Sequence, residues 1–183
     1  MKTCKICKTK FEAQRPMQSV CSLDCAIHSS KKARAWAAKE DRKTTRVKLE
    51  KLKTRSTWMK EAQREFNRYI RERDRVAGFG CISSGRALDW SGNATDAGHF
   101  RSVGSAPHLR FNEDNCHAQS KHANRYLSGD AVNYRMRLIE RIGLERVEAL
   151  EADQTPRHYD ISDLKAIKEK YKKMARELKK NAA

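Results

Sequence analysis

Four of the six cysteines fall within the first 25 residues, in the order Cys4-x2-Cys7-x13-Cys21-x3-Cys25. Two close pairs so separated let two tight turns aim four sulfurs at one tetrahedral ion. A segment this short buries too little apolar surface to fold without such a staple. Residues 1–28 are therefore expected to form a small zinc-ribbon-like module around one Zn2+, with Phe11, Met17 and Val20 as its apolar cap. Four protein ligands leave no open position, so this site is structural rather than catalytic. Four unrelated free thiols are the alternative. The N-terminus lacks the apolar stretch of a secretory signal, and no apolar run approaches membrane-spanning length. The expected location is cytoplasmic, where cysteines bind metal more readily than they pair.

From Ser29 to Arg75 there is no glycine or proline, and the composition is helical. Lys31, Lys32, Arg34, Arg42, Lys43 and Arg46 give this stretch, taken as 29–75, the character of a basic arm. It either lies along a DNA backbone or is a solvated spacer; its apolar residues are too sparse for a coiled-coil seam. Its second half is more amphipathic: Trp58, Ala62, Phe66, Tyr69 and Ile70 recur near helical spacing and should pack on the segment C-terminal to them. Over the whole chain 40 Lys and Arg face 23 Asp and Glu, a formal charge of +17. A field of that sign attracts polyanions, and phosphate contacts supply most non-specific nucleic-acid affinity.

Gly78-Phe79-Gly80 interrupts the helix, after which short strands and turns are expected up to Phe111. A helix from about Asn115 to Leu127 should come next, stopped by Ser128-Gly129. Asp130 or Ser128 then caps a helix carrying Val132, Met136, Ile139 and Ile142. Beyond Thr155-Pro156, a last helix starting after Asp160 or Ser162 aligns Leu164, Ile167, Tyr171, Met174 and Leu178. These limits give a third segment, 76–142, and a C-terminal helical segment, 143–183.

The chemistry-bearing stretch runs from Asp96-Ala97-Gly98-His99 to Asn124. Hydrolysing a phosphodiester requires deprotonating water, neutralising charge on phosphorus and stabilising the leaving oxygen. A histidine near neutrality supplies the base, and a hard divalent cation on oxygen ligands supplies the rest. His99, an oxygen donor shortly before it and amides after it offer those parts.

Asp96-Ala97-Gly98-His99-Phe100-Arg101-Ser102, Leu109-Arg110-Phe111-Asn112-Glu113-Asp114-Asn115-Cys116-His117 and Asn124-Arg125-Tyr126-Leu127-Ser128-Gly129 resemble the NinG (Rap) family of lambdoid bacteriophages. The N-terminal cysteines with Arg15-Pro16-Met17-Gln18-Ser19-Val20-Cys21 are similar too, so the resemblance spans essentially the whole chain. It implies a recombination endonuclease that cuts branched DNA, including Holliday junctions and displacement loops, in the host bacterial cytoplasm. It also implies a ββα-metal (HNH-like) unit, making the fold α+β: zinc module, long basic helix, ββα unit and C-terminal helices. By that resemblance His99 activates water, Asn115 braces the loop and orients His99, and Asn124 binds Mg2+ or Mn2+ from the helix. Asp96 is the second metal ligand, although it precedes His99 by three places. Arg101, Arg110, His117, Lys121 and Arg125 are then candidate phosphate contacts. A homodimer would suit symmetric cutting.

One departure concerns a second structural zinc that many such units carry. Its positions here read Cys81-x2-Ser84 and Ser120-x2-Ala123, so no zinc is expected there, and Ile82, Leu88, Trp90, Phe100, Leu109 and Phe111 must hold the unit by packing. Cys81, Cys116 and His122 are a remote alternative site. His108 is expected to be a surface histidine. The missing sulfurs motivate a second function, a junction-binding accessory protein with a weakened nuclease unit; charge alone would also suit an RNA-binding zinc-ribbon protein.

Overall fold

The structure, a computed structural model, describes residues 1–182. It resolves into two compact units, one through Lys53 and one from Thr54 onward. In the first, β1 (Lys2–Thr3) and β2 (Lys10–Phe11) pair antiparallel, Lys2 opposite Phe11, and α1 (Leu23–Lys51) comes after them. Ser22 caps α1 by accepting from the Cys25 amide, and Asp24 sits in its positive first turn. No residue of α1 is buried. Phe11 and Val20 are partly covered, but Met17 is 92% exposed and does not cap the module as expected.

The basic stretch is two helices rather than one. α1 ends at Lys51, and Thr54, accepting from the Thr57 amide at 3.3 Å, caps α2 (Arg55–Val76). The second unit then contains β3 (Thr95–His99), a 3-10 turn (Pro107–Leu109), β4 (Cys116–Ser120) and α3 (Lys121–Tyr126). α4 (Ala131–Ile142), α5 (Leu144–Ala152) and α6 (Ile161–Asn181) complete it. Composition set limits at 75 and 142; this compact body begins at Thr54 and includes both α2 and α6.

α2 and α6 form its largest helix pair. The ion pairs Glu61–Lys168 and Glu72–Lys179 have the same sequence offset, so the two helices run side by side in one direction. Trp58, Ala62, Phe66, Tyr69 and Ile70 are all buried, against Leu164, Tyr171 and Ala175 of α6 and Ala97, Phe111 and Cys116 of the hairpin region. Burying a large apolar side chain contributes about 1.5–3 kcal/mol, so this face of α2 anchors the unit. Asp160 and Asp163 close a reciprocal capping box at the start of α6.

A second cluster joins Ile82, Ala106, Leu109, Tyr134, Leu138, Val147 and Leu150. It corrects the face expected for α4: Tyr134 and Leu138 are buried, whereas Val132 and Met136 are 74% and 60% exposed. Ser128, Gly129 and Asp130 all adopt positive φ before α4, and Asp130 makes no side-chain cap bond to the helix backbone.

The helix expected from Asn115 to Leu127 is instead a strand, Cys116–Ser120, followed by a six-residue helix. Its register places Asp96 opposite Gln119, Ala97 opposite Ala118, Gly98 opposite His117 and His99 opposite Cys116. Cys116 to Gln119 are buried on both faces, so the segment lacks the polar–apolar alternation that marks a half-buried strand. The unit therefore has the chain order strand, strand, helix, the helix starting directly at the end of β4.

Candidate functional site

The four N-terminal sulfurs converge: Cys4, Cys7, Cys21 and Cys25 all lie within 4.8 Å of one another. Four thiolates about 2.3 Å from one Zn2+ in a tetrahedron would be about 3.8 Å apart. Cys7 Sγ to Cys21 Sγ is 3.4 Å and Cys21 Sγ to Cys25 Sγ is 3.7 Å. Cys4 is shielded from solvent, which opposes ionisation, but the amides of Cys7, Ile6 and Cys21 bring its thiol down to about 6. A soft, all-sulfur donor set with backbone amides supporting the thiolate fits zinc.

In the second unit, α3 meets the hairpin through Asn124, whose Nδ2 donates to Asp96 Oδ2 at 3.1 Å. The same carboxylate oxygen accepts from Arg125 Nε at 3.2 Å. Asp96 and the Oδ1 of Asn124 are oxygen donors of the type a hard divalent cation takes, and in this arrangement the Asn124 amide N–H faces the carboxylate.

His99 ends β3. Its Nε2 lies 3.0 Å from the Arg110 carbonyl, which can only accept, so Nε2 carries the hydrogen. Nδ1 is then the basic nitrogen, 3.8 Å from the Cys116 thiol. Phe66 of α2 covers the ring at 6.2 Å between centroids. Burial lowers the pKa of His99 below its ordinary 6.5, outweighing the Arg110 carbonyl, which raises it. The imidazole is therefore neutral at physiological pH.

Asn115, inaccessible to solvent, holds the loop that presents this carbonyl. Its Oδ1 accepts from the Arg101 amide at 2.8 Å, and its Nδ2 donates to the carbonyls of Arg101 (3.0 Å) and Leu109 (3.3 Å). The loop is thereby pinned two residues after His99 and immediately before Arg110. Asp96 and His99 themselves fall on opposite faces of β3, three places apart with a period of two. Asp96 meets α3, whereas His99 meets Cys116 and α2.

Several expected phosphate contacts are structural. Arg101 Nη1 donates to the carbonyls of Leu150, Glu151 and Asp153, capping the C-terminus of α5. His117, on a strand rather than near a helix start, is 3% exposed. Its Nε2 meets the Asp114 carbonyl at 3.1 Å and its Nδ1 meets Arg73 and Arg141 at 3.0 and 3.3 Å, so neither nitrogen is left for a phosphate or metal. Arg110 keeps one bond, Nη1 to Gln63 Oε1 at 3.2 Å. Arg125 is exposed beyond its Asp96 contact, and Lys121 is partly exposed. On α1, Lys31, Lys32, Arg34, Arg42, Lys43 and Arg46 are all exposed. His108 is 6% exposed and bonds the Asp153 carbonyl at 2.7 Å; it is not the surface residue its loop position suggested.

Cys81, Ser84, Ser120 and Ala123 line one hollow. The Ser120 amide donates to Cys81 Sγ at 3.3 Å, so hydrogen bonding engages the single sulfur remaining there. Cys116 faces His99 instead, and His122 stacks on Tyr126. Among the described residues, Cys81, Cys116 and His122 do not form a metal-ligand group.

Sequence reasoning missed Asp74. Fully buried, it accepts from the Ala118 amide at 2.7 Å and Arg73 Nε at 2.8 Å, closing the outer edge of β4. Burial opposes its ionisation, but the His117 ring 3.7 Å away, Arg73 and the Ala118 amide bring its pKa down to about 2. An acidic residue within a basic helix carries no signal of this, because the strand edge it closes lies 44 residues away.

A family model described as the bacteriophage lambda NinG protein matches residues 1–181. Protein ninG of Escherichia phage 933W is 36% identical over 196 aligned residues, covering 96% of this chain and 92% of the relative. Protein ninG of Escherichia phage lambda is 42% identical over 138 residues, covering 73% of this chain and 64% of the relative. That of Salmonella phage P22 is 41% identical with the same coverages. No solved structure matches.

Proposed function

The chain belongs to the NinG family of lambdoid bacteriophages, and from that premise we propose that it is a metal-dependent DNA endonuclease. Its substrates on this reading are branched recombination intermediates, Holliday junctions and displacement loops, in the cytoplasm of the bacterial host. The observation that carries the reading is a neutral, buried-edge His99 of fixed tautomer, on a hairpin whose other face joins Asp96 to Asn124.

His99 Nδ1 takes the proton from the attacking water. As the imidazolium forms, the bond from Nε2 to the Arg110 carbonyl strengthens, because a carbonyl dipole aimed at the ring favours its positive form. Asn115 keeps that carbonyl in place by bracing the loop at Arg101 and at Leu109, the residue before Arg110. Mg2+ or Mn2+ held by Asp96 and the Asn124 carboxamide oxygen would supply charge neutralisation at phosphorus and at the leaving oxygen. Expected outcome: purified protein cuts a synthetic four-way junction with Mg2+ or Mn2+, and His99→Ala abolishes cutting while junction binding persists. Unchanged cutting by His99→Ala removes His99 from the mechanism.

Two observations favour a second reading, a junction-binding accessory protein without cleavage. Asp96 and His99 lie on opposite faces of β3, and the Arg125 guanidinium already engages the Asp96 oxygen. That reading predicts salt-sensitive junction binding and no strand cutting with any divalent ion.

A further inference from the structure

We propose that a trough on the outer face of α2, bordered by Lys60, Gln63, Arg64, Asn67, Arg71 and Arg110, seats the sugar–phosphate backbone of a duplex DNA arm. This deepens the nuclease reading and rests on its choice of DNA as partner, but not on cleavage.

The α2 positions recur at three- and four-residue intervals, so they share one face of the helix, opposite the face that Phe66, Tyr69 and Ile70 bury. Along this face the polar groups are oriented. Arg110 Nη1 can only donate, so the Gln63 atom it meets is the carbonyl oxygen, Oε1. That fixes Gln63 Nε2 as the donor to Asn67 Oδ1, at 2.7 Å. Asn67 Nδ2 is thereby left as a donor with no acceptor among the described residues. The chain Arg110–Gln63–Asn67 thus spends its acceptors internally and turns N–H groups outward, which suits an anion.

The cations here are also poorly compensated. Among the described residues, Lys60, Arg71 and Arg110 have no carboxylate within 4.0 Å, and Arg64 has only Glu65 at 3.6 Å. A neighbouring trough that shares Arg71 differs: its Arg75 and Lys179 both meet Glu72, and its Arg68 meets Glu65. Lys60 to Arg71 spans about 16 Å of helix at about 1.5 Å per residue, long enough to follow several phosphates of one strand. The Arg110 whose side chain enters the trough is also the residue whose carbonyl orients His99. A strand seated there would be gripped beside the proposed base.

The test is salt-dependent binding of a labelled four-way DNA junction, in a His99→Ala background without divalent ion. The triple variant Lys60→Ala/Arg64→Ala/Arg71→Ala should lower the slope of log K against log salt by about 2.7, from about 0.9 per phosphate contact. Lys173→Ala/Arg176→Ala/Lys180→Ala, which removes the same charge from exposed positions on α6, should change the slope by less than about one contact. Lys60→Arg/Arg64→Lys/Arg71→Lys should keep the slope, showing that charge rather than folding is responsible. Equal losses for the α2 and α6 variants would overturn the proposal. So would competition in which structured RNA displaces the junction at lower concentration than duplex DNA. If binding meets these expectations and the otherwise native protein never cuts, the nuclease reading fails while the trough stands.

Discussion

Asn115→Ala is the most informative single change, because its cost derives from three bonds. The substitution strips the Arg101 amide and the Arg101 carbonyl of the partner that each has in the side chain of Asn115. The Leu109 carbonyl loses one donor but keeps the Asn112 amide at 3.1 Å. Leaving a buried polar group unsatisfied costs about 1–3 kcal/mol. Two such groups, partly within reach of water because Arg101 is half-buried, give about 2–4 kcal/mol. For a chain of this size that is a fall in Tm on the order of 5–15 °C. Urea unfolding monitored by tryptophan fluorescence reads it, since Trp58 is buried in the α2–α6 core. Asn115→Asp sharpens the test. It keeps the shape and the acceptor for Arg101, but sets an oxygen against the two carbonyls that now receive a hydrogen. It should be at least as destabilising at pH 7 and should recover partly as the carboxylate protonates. A loss below about 1 kcal/mol for Asn115→Ala would refute the bracing argument.

Metal removal and acidification give two more expected outcomes. The chain should bind one Zn2+ through Cys4, Cys7, Cys21 and Cys25, and a strong chelator or Cys4→Ser should unfold residues 1–22 while leaving the Trp58 core intact; loss of both together would show that the units depend on each other. Stability should fall on acidification in two stages. His99 and His117 have folded pKa values below 6.5, chiefly through burial, so the unfolded chain binds protons first and stability drops as pH falls below about 6.5. Asp74, held at about 2, contributes stability that is present above its ordinary 3.8 and lost as pH approaches 2. Denaturant midpoints at pH 7, 5 and 3 measure both stages, and a midpoint that rises between pH 7 and 5 contradicts the first.

Local, periodic signals in the sequence survived into the structure. The cysteine spacing converged, and the stripe from Trp58 to Ile70 became the core face of α2. So did the α6 stripe, for which Asp160 proved to be the cap. What was not legible depended on partners distant in the chain. β4 reads as a helix start because both of its faces are buried, one by α2 and Phe111, the other around Tyr134 and Arg141. Arg101 looks like a phosphate ligand beside a candidate base, but the end of α5, about 50 residues on, supplies three carbonyls for it. The amides of Gln63 and Asn67 gain a direction only when Arg110 arrives from another element.

The three-residue interval between Asp96 and His99 has a steric cause in the opposite strand. Gln119 is inaccessible to solvent, and its Nε2 donates to the Gly129 carbonyl at 2.7 Å as well as to Ser83 Oγ. Since the Gly129 carbonyl can only accept, the amide cannot be turned over, and Oε1 must point back at β3 without a hydrogen-bond donor. There it occupies the space over residue 98: a Cβ on Gly98 would stand 2.0 Å from it. Position 98 is thus closed to any side chain, including a carboxylate or imidazole adjacent in sequence to His99. Asp96 is the nearest position earlier on the same face of β3. A hairpin that keeps Gln119 locked to Gly129 therefore carries the carboxylate before His99 at 96, where Asn124 of α3 meets it.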